Sequence, residues 1–101
     1  MPGVKEFYYS NFIYNDIGHV TGSTTSHQFP DVYGAAVMFK AHSDNVGPFF
    51  IDDVSGTTVT GWEVEAGGQT DIFPLANYNL DNLYYTGCSG STDQLTYWVF
   101  R

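Results

Sequence analysis

Basic side chains are scarce in this sequence: Lys5, Lys40 and Arg101 stand against 11 acidic residues, a formal charge of −8. Three scattered cations cannot assemble the basic patch that a phosphate backbone requires, and an anionic membrane surface is disfavoured for the same reason. Cysteine is nearly absent. Cys88 stands alone, so no disulfide can form within the chain and nothing demands an oxidising compartment. Its neighbours supply no base, and it reads as an inert packed thiol. No apolar run approaches the twenty or so residues of a membrane-spanning helix, and the N-terminus lacks the basic-then-apolar order of a signal peptide.

Helical spacing is also missing, and alternation replaces it. Across the last third, Leu83 and Tyr85 share one face of an extended chain and Tyr84 and Thr86 the other. Gly90-Ser91-Thr92-Asp93 reads as a turn. Leu95, Tyr97 and Val99 then alternate with Thr96, Trp98 and Phe100. This predicts a closing hairpin that is apolar on both faces. Upstream, Gly34–Ala41 predicts a strand with Val37 and Phe39 on its buried face. Phe49-Phe50-Ile51-Asp52-Asp53 follows as a second strand after a Ser43-Asp44-Asn45 turn. Gly61–Glu65 alternates with Trp62 and Val64 inward, and Ala66-Gly67-Gly68 turns the chain. Thr70–Phe73 resumes until Pro74. Leu80 and Leu83 are spaced as on one short 3₁₀ turn and act as plugs in a connection.

Six to eight short strands with turn signals about every ten residues predict an all-β fold, an antiparallel β-sandwich or jelly-roll-like arrangement. The expected core is Val37, Phe39, Ile51, Trp62, Val64, Ile72, Leu83, Tyr85, Leu95, Tyr97 and Val99. The sandwich domain is expected over 34–101. Residues 1–33 are expected as an aromatic N-terminal segment and a polar loop: Asn15-Asp16-Ile17-Gly18 reads as a turn and Val20–Gln28 as loop or solvated hairpin. Phe7, Tyr8, Tyr9, Phe12 and Tyr14 form either an edge strand or an arm that docks on a neighbouring copy.

Aromatic residues make up 18% of the chain, with eight Phe and eight Tyr, a content that favours a protein-facing surface. The expected interface comprises that N-terminal segment with Tyr84, Trp98 and Phe100. No catalytic residue, metal ligand or cofactor is expected. His19, His27 and His42 have no second ligand at metal-like spacing. Asp44, Asp52, Asp53, Glu63, Glu65 and Asp71 match no EF-hand pattern. Gly87-Cys88-Ser89-Gly90 is not a nucleophile elbow. An alternative reading places Trp62, Trp98, Tyr84, Tyr85 and Tyr97 on a sugar-stacking platform, as in a carbohydrate-binding module.

Three pieces of the chain carry a likeness: Val37–Ala41 followed by Pro48-Phe49-Phe50-Ile51; the strand and turn Gly61–Gly68; and Leu80-Asp81-Asn82-Leu83-Tyr84 running through Ser89-Gly90 to Leu95–Val99. In this order they resemble small β-rich structural proteins of tailed bacteriophages, in particular capsid decoration and virion accessory proteins. The likeness covers about two-thirds of the sequence. It implies a non-enzymatic virion subunit, synthesised in the host cytoplasm and seated on the major capsid protein or another virion protein. It further implies a homo-oligomer, a trimer among its forms, with head-fibre and tail positions as other settings. Met1–Asp31 does not share the likeness.

Overall fold

The computed structural model describes residues 15–53, 62–87 and 92–101. Alternating apolar side chains drive these residues into eight strands. They are β1 (Asn15–Thr21), β2 (Ser23–Gln28), β3 (Ala36–Ala41), β4 (Phe49–Asp52), β5 (Trp62–Val64), β6 (Phe73–Pro74), β7 (Tyr84–Gly87) and β8 (Gln94–Phe100). Two antiparallel sheets result, with strand orders β1-β8-β3-β6 and β2-β7-β4-β5. Each odd strand hands over to its successor in the opposite sheet or across the sandwich, which is jelly-roll topology. The all-β expectation therefore holds.

The core lies between the sheets. Val20, Val37, Phe39, Ala41, Leu95 and Val99 enter it from the first sheet, and Phe49, Ile51 and Val64 from the second. Phe29, Leu75 and Leu80 close it from the connections, and Leu83, Phe73, Tyr85 and Tyr97 pack against it half-buried. Phe29 sits 5.1 Å from Phe39 and 4.8 Å from Tyr85, centroid to centroid. Each such ring withdrawn from water contributes about 1.5–3 kcal/mol. The same burial raises the pKa of the Tyr85 hydroxyl above its ordinary value, because ionising it would place charge in a dry setting.

Several expectations need correction. The closing hairpin does not form: β7 pairs with β2 and β4, whereas β8 pairs with β1 and β3. The two strands are the inner members of different sheets, and residues 88–93 join one sheet to the other. Asn15–Gln28 is neither turn nor loop. Asn15–Thr21 pairs along its whole length with β8, and Ser23–Gln28 edges the second sheet. The polar composition of β2 reflects its edge position, where most side chains meet water. Residues 15–33 are thus integral to the sandwich, and the compositional boundary at 33/34 is not a structural one. Ile72 is exposed and leaves the core place to Phe73, which pairs with Val37. Pro74 does not end that strand but belongs to it, at a sheet edge that spares the missing N–H.

Trp62 also needs correction. It stands opposite Ile51 in register, on the same face as buried Val64. Yet it is 69% exposed, because the facing sheet ends in the two-residue β6 and does not extend over it. Phe7, Tyr8, Tyr9, Phe12, Tyr14 and Cys88 lie outside the described residues.

The connections between the sheets at one end are stitched together by Asp93 and Gln94. Asp93 is 1% exposed. Its Oδ1 accepts from the Val46 N–H at 2.9 Å and its Oδ2 from the Gly47 N–H at 3.2 Å. Its carbonyl accepts from the Gly22 N–H at 2.7 Å. Gln94 exchanges two hydrogen bonds with the Asn45 amide, at 2.8 and 2.9 Å. At the opposite end Asn79 Oδ1 accepts from Val32 N–H and Asp81 N–H, and its Nδ2 donates to Asp31 at 2.7 Å.

Removing the buried Asp93 carboxylate leaves the Val46 and Gly47 N–H groups without their acceptor, so Asp93→Ala is expected to cost about 1–3 kcal/mol. Exposed Asp44→Ala serves as the control, and urea denaturation of the two variants checks the difference. Gly87 makes a separate prediction. A Cβ there would lie 2.7 Å from Phe49 Cα and from the Pro48 carbonyl oxygen, both backbone atoms. Gly87→Ala is expected to destabilise by about 1–3 kcal/mol, read as a lowered melting temperature.

Candidate functional site

Two surfaces stand out, on different sides of the molecule. The first is the outer face of the β1-β8-β3-β6 sheet. Strand alternation sends Leu95 and Val99 into the core and therefore turns Thr96, Trp98 and Phe100 outward. Register places Ile17 and Met38 on either side of Trp98. Phe100 stacks on Trp98 with centroids 5.6 Å apart and planes at 20°, and beside Phe100 come Ala36 and then Pro74. Ile17 is 61% exposed and Trp98 37%, whereas Phe100 is 8% exposed. A polar row of His19, Thr96 and Lys40 follows.

No outward-facing residue in these three rows is acidic. In a chain with 11 acids and three bases, the omission is informative. Asp16, nearest the face, faces the other way in register and pairs with Arg101 at 2.9 Å.

The second surface is a cleft of about 720 Å³ at the open edge of the sandwich, between β4-β5 of one sheet and the segment entering β6 of the other. Ile51, Trp62, Phe73 and Leu83 form its apolar walls, and Asp52, Asp53, Thr70 and Asp71 its polar part. The Thr70 hydroxyl is engaged: it accepts from the Phe39 N–H at 2.9 Å and donates to the Asp71 carbonyl at 2.9 Å. The Asp53 N–H is directed to Asp52 Oδ1 at 2.8 Å. On its other side Trp62 borders a shallower depression of about 350 Å³ that includes Glu63 and Glu65.

The interface candidates do not share one surface. Trp98 and Phe100 lie on the outer face of the first sheet. Tyr84 is half-buried on β7 in the other sheet, opposite Gln28 and Asp52. The aromatic platform also fails to assemble: Tyr85 and Tyr97 pack against the core, and the two tryptophans occupy different sheets. Ile17 and Met38 are surface residues that the sequence reading missed. The signal available was the alternation of Ile17 with Val20 at odd spacing, hidden by the turn-like Asn15-Asp16 and Gly18.

The histidines are dispersed. His19 is exposed on β1, His27 stacks on Tyr85 at 5.8 Å, and His42 Nδ1 accepts from the Asp44 N–H at 3.1 Å. Among the described residues no three His, Cys, Asp or Glu side chains gather as a metal site. No protein-family model matches this chain, and no curated protein or solved structure matches it either.

Proposed function

We propose that the protein is a non-enzymatic structural module that acts by adhesion, and that the outer face of the β1-β8-β3-β6 sheet closes against a second copy of the chain. The observation that carries this reading is the acid-free apolar centre formed by Ile17, Trp98 and Met38. Self-association of a chain carrying −8 brings like charges together, and the cost is least where the meeting faces hold no carboxylates. Indole and thioether side chains are enriched in protein interfaces, and tryptophan among the residues that carry most of the binding energy.

The setting we propose is a virion, with the oligomer seated on the major capsid protein or another virion protein after synthesis in the host cytoplasm. This setting rests on the resemblance to phage decoration and accessory proteins and on the jelly-roll architecture. That fold serves capsid and lectin domains alike, so the fold by itself does not choose between them. Weak contacts repeated over a regular shell would add through multivalency.

Light scattering after size exclusion tests the self-association. The wild-type chain is expected to run as an oligomer, and Ile17→Glu and Met38→Glu as monomers with unchanged far-UV circular dichroism. A wild-type chain that stays monomeric and does not co-sediment with assembled phage capsids overturns the proposal.

A further inference from the structure

The Trp62 cleft lies away from the proposed self-association face, and the adhesion reading leaves it without a role. We infer that it is a binding site for a guanidinium-bearing side chain, presented by a basic peptide segment of a partner protein. Three independent features of the cleft point to this occupant.

Charge comes first. The indole of Trp62 stands between two depressions, one with Asp52, Asp53 and Asp71 and the other with Glu63 and Glu65. Among the described residues no Lys or Arg lines either one. Arg101 is committed to Asp16, and Lys40 sits on the outer face of the other sheet. A cation approaching Trp62 meets carboxylates in both depressions.

The second feature is the direction of the available hydrogen bonds. Among the described residues, and apart from the indole N–H, the polar side chains of the larger depression are carboxylates and a threonine whose hydroxyl is already donating. The described polar side chains there are thus mainly acceptors. A guanidinium has five N–H donors and no acceptor, so all its needs are met there. A sugar hydroxyl can donate to the same carboxylates, but it carries no charge for them to attract. Neutral saccharide is therefore the poorer fit despite the exposed tryptophan.

Shape supplies the third. The apolar walls formed by Ile51, Phe73 and Leu83 offer a dry track for the methylene stem of an arginine, while the carboxylates at the rim and the indole face take its planar head. Trp62 is held for this by β4-β5 pairing: its register opposite Ile51 directs it inward, and the short β6 leaves it uncovered.

The test is a titration of the full chain with N-acetyl-triarginine amide, followed by the indole N–H resonances of Trp62 and Trp98. Trp62→Ala assigns the two signals. The Trp62 signal is expected to shift saturably, while Trp98 stays in place. Binding should weaken about tenfold in Trp62→Ala, the size of a partly desolvated cation–aromatic contact. It should also weaken in Asp53→Asn/Asp71→Asn, and in added salt. These positions are on the surface, and the fold of each variant is checked by circular dichroism. Two results overturn the inference. One is a shift spread equally over both indoles without saturation, which is diffuse attraction to an acidic protein. The other is saturable binding of cellohexaose at Trp62, insensitive to salt, with no response to the arginine peptide.

Discussion

Asp93 holds together what the topology pulls apart. In this fold the chain must leave one sheet and enter the other repeatedly at the same end, and each passage exposes backbone donors that no ladder can satisfy. A single buried carboxylate takes the N–H groups of Val46 and Gly47, and its own carbonyl takes that of Gly22. The passages at residues 22 and 42–48 are thereby tied to Asp93, at the entry to β8. Asn79 does the same work with an amide at the opposite end, tying Val32, Asp31 and Asp81. With both ends tied, the apolar inner faces of the sheets are held in register against each other.

That register separates the chemistry of the surface. Because Leu95 and Val99 must face inward, Trp98 is obliged to face outward, and pairing brings Ile17 and Met38 alongside it. The acids fall elsewhere. Asp52, Asp53, Asp71, Glu63 and Glu65 border the two depressions beside Trp62, where the sheets part. One protein of strongly negative charge thus presents an acid-free face with an apolar centre and an acidic, aromatic cleft. The first suits a like copy, and the second a partner of opposite charge.

Much of the strand content was legible, and the errors have common causes. Alternation located β3, β4, β5 and β8 within a residue or two and named Val37, Phe39, Ile51, Val64, Leu95 and Val99 as buried. Leu80 and Leu83 fell where their spacing put them, at a 3₁₀ turn over Leu80–Asn82 under the core. The polar strands β1 and β2 escaped notice because edge strands bury little and so lack the apolar alternation that marks a strand. Trp62 was assigned the right face and the wrong environment. Its face depends on local alternation, but its burial depends on how far the opposite sheet reaches.

The sequence by itself determined that the chain would be built of short antiparallel strands and, on β3, β4, β5 and β8, which side chains would point inward. These follow from the two-residue period of extended backbone and from composition, both local properties. Tertiary structure alone decided that β7 and β8 belong to different sheets, that Ile17 and Met38 flank Trp98, and that Asp52, Asp53 and Asp71 line one cleft with an exposed indole. Each of these depends on which strand lies next to which, and pairing partners far apart in the chain leave no mark in the local pattern.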